Sequence, residues 1–143
     1  MSQSQTWVSA WSQTNPEVWT SIYTPTAAYT DYAFGFIRRG TAGLENHFNL
    51  WRTAHPDFEA TILETWPVKD LGNGRTKHSI RTKNVGTFMK DLPSKKASGR
   101  KWEFYAVVDL VVSGNGKIEE VEEWYCREFD AEKLVERDAA STS

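Results

Sequence analysis

A chain of 143 residues and 16.3 kDa is the length of one domain. It is long enough to bury roughly two-thirds of its unfolded surface without disulfides or metals. Lys plus Arg number 17 and Asp plus Glu 19, a net charge of -2 that excludes a polybasic nucleic-acid binder. No apolar run approaches the roughly 20 residues needed to span a bilayer. The opening MSQSQTW has neither the basic nor the apolar region of a secretory signal. Cys126 is the lone cysteine, so no disulfide forms within the chain, and a reducing cytoplasm is the expected location. The unusual feature is aromatic content: seven Trp, five Tyr and seven Phe, 13% of the chain, enough for a bulky core or a ring-lined pocket.

In chain order, Trp7, Ala10 and Trp11 recur at helical spacing. Asn15-Pro16 is a helix start, an N-cap followed by proline at the first helical position. Val18, Trp19, Ile22 and Tyr23 form the apolar stripe of that second helix, which Thr24-Pro25 stops. An extended piece over 27–36 follows, then a turn at 40–43 in which Thr41 can cap the next helix. Leu44, Phe48, Trp51 and His55 share one face of that third helix, which Pro56 ends.

The second half reads as strands over 58–69, 75–90, 100–112 and 117–128. Hairpin turns at 71–74 and 113–116 and a loop at 93–99 join them, and the strand over 75–90 is polar on both faces. Asp130 caps a short terminal helix through 135, and the core over about 6–130 is followed by a flexible tail at 138–143. Helices first and long strands after predict an α+β fold, a single domain over 1–143. Strands of about a dozen residues must twist and curl, giving a cone-shaped antiparallel sheet covered by the N-terminal helices.

Chemistry-bearing residues are few. Asp109 interrupts the apolar run 106–112, where it either faces the interior or marks a solvated outer face with an ion pair. A carboxyl in an apolar site stays neutral and can donate a hydrogen bond or a proton. Asp31, between Tyr29-Thr30 and Tyr32, is a general base or a turn-forming residue. Strand alternation puts Glu123 on one face with Glu119, Val121 and Tyr125, but both faces of that strand carry acids. His47 can turn inward beside Trp51 as a hydrogen-bond donor or proton shuttle, or be a core-edge histidine. His47, His55 and His78 lack metal-ligand spacing, so no metal is expected. Phosphate-binding loops, a serine-nucleophile elbow and a partner for Cys126 are absent from the sequence, and no cofactor is expected. Carboxylates, imidazoles and rings suit cofactor-free proton transfer on an apolar substrate.

The order of several motifs resembles the nuclear transport factor 2-like superfamily, and within it the SnoaL-like polyketide cyclases and ketosteroid isomerases. These motifs are 19–23 followed by Ala27-Ala28-Tyr29-Thr30-Asp31, Gly40 before the third helix, Pro56-Asp57-Phe58, Val85-Gly86-Thr87-Phe88, Val108-Asp109, Gly116-Lys117-Ile118-Glu119 and Glu123-Trp124. The resemblance implies a cone-shaped α+β barrel and a homodimer formed largely through the sheet. It implies Asp31 as the general base, Asp109 as a protonated acid of an oxyanion hole and Glu123 as an acid/base group. Trp7 falls where the isomerases carry an oxyanion-hole tyrosine, and an indole N–H is a donor but a poor acid.

The resulting expectation is a secondary-metabolite enzyme, an isomerase, cyclase or lyase. Its substrate would be a hydrophobic oxygenated small molecule, polyketide- or terpenoid-like, cyclised, isomerised or dehydrated next to a carbonyl. Asp31, Asp109, Glu123 and His47 would be catalytic, and Trp7, Tyr29, Trp51, Tyr105 and Tyr125 would bind the substrate. A non-catalytic binding module is an alternative, as is an epoxide or ester hydrolase. The hydrolase would need an arginine between two aspartates, which the strand carrying Arg75 and Arg81 could supply.

Overall fold

The computed structural model describes residues 2–126, so the terminal helix expected from Asp130 and the tail lie outside the described residues. Helix α1 (Gln3–Trp11) is capped by Ser2, whose hydroxyl accepts from the Gln5 N–H. Helix α2 (Pro16–Ser21) starts as the Asn15-Pro16 pair predicts, with the Asn15 side chain accepting from the Glu17 N–H at 2.9 Å. It ends before Tyr23, which already belongs to strand β1 (Tyr23–Asp31). The extended piece is therefore longer than expected, and it is a hairpin: β1 turns over 32–35 into β2 (Phe36–Arg39). Helix α3 (Gly40–Ala54) begins at Gly40 itself, at φ +70°, a backbone angle glycine adopts freely. Arg39 stands at the N-cap without a side-chain bond, so Thr41 is inside the helix rather than its cap.

The strand expected over 58–69 is two, β3 (Glu59–Thr65) and β4 (Lys69–Gly72), both paired with β5 (Arg75–Thr87). Strands β6 (Lys101–Val112) and β7 (Ile118–Trp124) follow. Contrary to the sequence reading, one face of β5 is buried: Ile80, Thr82 and Asn84 point into the core. Asn84 donates to the Thr82 hydroxyl at 2.9 Å, which lets two polar side chains sit among apolar ones.

The seven strands form one unclosed sheet in the order β2-β1-β7-β6-β5-β3, with β4 against β5. All pairs are antiparallel except β1–β7, which run parallel. Register shifts within β1, β3 and β6 mark bulges, which bend a sheet and tighten its twist. The three helices cover one face, and rings join the layers. Trp19 is fully buried, lies 4.4 Å from Trp11 and 5.6 Å from Phe48 between centroids, and donates its indole N–H to the Leu44 carbonyl. Such ring pairs add about 0.5–1.5 kcal/mol each beyond area burial, so much of the aromatic excess is core. Among the described residues, no helix is long and apolar enough to cross a membrane.

Candidate active site

The site forms where β2, β1 and β7 lie side by side under α3. In the register, Asp31 faces Phe36 on β2 and Glu123 on β7, while Tyr29 faces Arg38 and Val121. Alternation then turns Tyr29, Asp31, Phe36, Arg38 and Glu123 to the helix-covered side. Neighbouring strands lie about 4.8 Å apart, so Asp31 and Glu123 are adjacent carboxyl groups on one buried face.

A cavity of about 250 Å³ opens here. Its wall is mostly apolar, with Phe34, Phe36, Leu50, Trp51, Leu92 and Pro93. Asp31, Arg38 and His47 supply the charged or ionisable groups. A recess of about 10 Å³, room for about one water, continues inward past Asp31, His47 and Trp51 to Glu123 and Tyr125.

Asp31 is 2% exposed. Its Oδ1 accepts the Phe34 N–H at 2.8 Å, and its Oδ2 accepts the Tyr125 hydroxyl at 2.8 Å. Burial pushes its pKa up, while these donors, the Ala33 N–H and the more remote Arg38 charge oppose the rise. Glu123 has one such donor, the Tyr29 hydroxyl at 2.8 Å from Oε1, and it is deeply buried. Its pKa is pushed up to about 8, by burial first and by the Asp31 charge second. Two neighbouring carboxyls resist double ionisation. Asp31 has the larger number of hydrogen-bond donors, which favour its charged form, so the shared proton is held preferentially by Glu123.

His47 also lines the cavity, among Trp11, Tyr29 and Phe36. Burial, aided by the Arg38 charge, lowers its pKa to about 3, so it is a neutral imidazole at physiological pH. Tyr29 is buried behind the carboxyls, and burial together with the Glu123 charge raises its pKa. Trp51 lines both the cavity and the recess, and Tyr125 lines the recess.

Three expected residues do not join the site. Asp109 points to the opposite face of the sheet, because Val108 and Leu110 on either side of it face the core. There it accepts the Ser79 hydroxyl at 2.6 Å and pairs with Lys77 at 3.3 Å, which is the outer-face alternative of the sequence reading. Tyr105 shares that outer face, is 40% exposed and bonds Glu103. Trp7 is buried to 1% exposure, and its indole N–H donates to the Tyr23 hydroxyl at 3.0 Å, outside the cavity wall. The arginines sought for hydrolysis also lie elsewhere, Arg75 against Glu119 and Arg81 against Glu64. Phe34, Phe36, Arg38, Leu50, Leu92, Pro93 and Ser94 are cavity residues that sequence reasoning missed. For Phe36 and Arg38 the signal was the alternation Phe36-Ile37-Arg38, legible only once β2 is recognised as a strand. Among the described residues, no three of His, Cys, Asp and Glu form a metal-ligating group.

No family model and no curated protein sequence matches the chain. Solved structures do match. The chain has the nuclear transport factor 2-like α+β fold that the ketosteroid isomerase-like and SnoaL-like proteins share. A protein of ketosteroid isomerase-like fold from Catenulispora acidiphila, solved with trimethylamine, superposes with a TM-score of 0.71 at 17% identity, over 89% of this chain and 87% of its own. Hexachlorocyclohexane dehydrochlorinase LinA-type3 from Novosphingobium barchaimii gives 0.72 at 13% identity, over 89% and 83%. A candidate polyketide cyclase from Pseudomonas putida gives 0.69 at 11% identity, over 93% and 96%. Candidate polyketide cyclases and a dehydrochlorinase are thus among the proteins that use this fold.

Proposed function

We propose that the chain is a cofactor-free acid/base enzyme acting on an apolar, oxygenated small molecule by proton transfer next to a carbonyl. The observation that carries this is the buried pair Asp31 and Glu123, adjacent carboxyls beside an apolar cavity, which resist ionising together. Asp31 removes the proton from the carbon acid. Glu123, with its pKa pushed up to about 8, is the proton donor across the recess. The neutral His47 is left a positioning role. General acid/base groups of this kind contribute about 10²–10⁴-fold each. Cyclisation, isomerisation and elimination all begin with such a step, and neighbours on the same fold include a dehydrochlorinase and cyclase-type proteins.

The test is deuterium exchange into 2-tetralone, an enolisable apolar ketone, in deuterated buffer. The wild type should accelerate exchange over buffer, and Asp31→Asn should remove roughly 10²-fold or more of that rate while keeping the melting temperature. Equal rates in both proteins would defeat the proposal.

We also infer that the chain forms a homodimer through its outer sheet face. Trp66, Tyr105, Val107 and Trp124 are each about 40% exposed there, an apolar surface of the sort that marks an interface. Sedimentation should give twice the monomer mass for the wild type and the monomer mass for Val107→Glu. A monomeric wild type would refute the inference.

A further inference from the structure

We propose that the cavity takes apolar molecules that carry a carboxylate, and that Arg38 is the residue that holds it. The inference rests on the cavity being the acid/base site described above, and it names that site's substrate class. Arg38 lies on the inward face of β2, with its guanidinium carbon 4.4 Å from the centroid of the Phe36 ring. It lines the cavity wall. Its Nε is buried and has no hydrogen-bond partner among the described residues. None of the ion pairs of the described residues includes it.

A guanidinium stays charged at any physiological pH, so it cannot escape desolvation by losing its proton. Arg38 is half-buried with its Nε fully enclosed, and a donor desolvated without a partner is costly, a cost that a ligand supplying the counter-charge would offset. The groups around Arg38 leave it without a direct partner. Among the described residues Asp31 makes no ion pair with it: the Asp31 oxygens accept from the Phe34 N–H and the Tyr125 hydroxyl, and attraction to Arg38 is a smaller influence on that carboxyl than burial and those bonds. His47 is neutral. The rest of the wall is mostly apolar. A carboxylate fits the fork of a guanidinium with two parallel hydrogen bonds, and the aromatic ring beneath Arg38 holds the fork in place.

The register also sets the spacing. Arg38 stands opposite Tyr29, and Asp31 stands two residues farther along the same strand, opposite Phe36. Diagonal positions on paired strands are about 7–8 Å apart. Arg38 and Asp31 therefore lie on one wall of the cavity, close enough for a single small molecule to reach both.

The experiment is calorimetric binding of 1-naphthoate, ionised at neutral pH, and of its neutral analogue 1-naphthalenemethanol. Wild type should prefer the naphthoate by roughly 10–100-fold, the range of a charge-assisted hydrogen bond. Arg38→Met should lose that preference while binding the alcohol unchanged, and Arg38→Lys should recover part of it. In the wild type, the Arg38 Nε–H resonance should move on adding naphthoate and stay in place on adding the alcohol, a readout that needs no variant to fold. Equal binding of the two ligands by wild type, or equal weakening of both in Arg38→Met, would overturn the proposal. If that happens while 2-tetralone exchange is still catalysed, the carboxylate assignment alone falls. If exchange is absent while naphthoate binds through Arg38, the acid/base reading falls instead.

Discussion

Glu123→Gln isolates the proton that the site stores. Glutamine has the shape of a protonated glutamic acid and keeps an oxygen for the Tyr29 hydroxyl, but it cannot ionise. The unfolded chain ionises this glutamate near the ordinary value of 4.5, whereas the folded protein keeps the proton up to about 8. Between those values the folded state binds more protons than the unfolded one, so this residue's contribution to stability falls as pH rises. Each pH unit is about 1.4 kcal/mol. Between about pH 5 and pH 7.5 the wild type should therefore lose about 3 kcal/mol that Glu123→Gln does not lose. Urea unfolding of both proteins across that range reads the difference directly. With a slope of about 1–3 kcal/mol per molar urea, the gap between their midpoints should change by about 1–3 M. Parallel dependence of the two proteins on pH would refute the stored proton.

Tyr125→Phe removes a donor from the Asp31 carboxylate, so the acid limb of any pH–rate profile should move to higher pH. An unmoved limb would separate Asp31 from the rate. Asp109→Asn removes the partly exposed ion pair to Lys77 and keeps an oxygen to accept the Ser79 hydroxyl. It should leave 2-tetralone exchange unchanged and cost less than about 1 kcal/mol in urea unfolding. His55 lies between Trp51 and Phe88, and burial lowers its pKa to about 4. The unfolded chain takes up that proton first, so stability falls as pH drops from the ordinary 6.5 toward 4. His55→Met should remove about 2–3 kcal/mol of the wild type's acid sensitivity, measured by unfolding at about pH 4.5 and 6.5.

The class of the fold was legible because its signals are local. Asn15-Pro16 and the spacing from Leu44 to Trp51 mark helices, and the Gly-Asn-Gly turns mark hairpins. The pairing of β1 with β7 was not legible, because a parallel contact between residues some ninety positions apart leaves no periodic trace. That pairing is what brings Asp31 and Glu123 together. The aromatic neighbours of Asp31 leave a general base and a turn-forming residue equally open, and only the family resemblance favours the base. Glu123 needed the tertiary partner, since acids occupy both faces of β7. Asp109 misled for a physical reason. The strand run 106–112 is apolar on both faces, with Val107 exposed and Val108 buried, so hydrophobicity could not say which way the carboxylate turned. Arg38 was hidden by placing the end of the extended segment at Phe36, two residues short of the cation that lines the cavity.

Carboxyl carbon-13 resonances of Asp31 and Glu123, followed through a pH titration of the full chain, bear on the central claim most directly. One proton should stay with the pair at neutral pH, with Glu123 losing it near pH 8 in step with a small shift at Asp31. Both carboxyls titrating independently near the ordinary value of about 4 would contradict it.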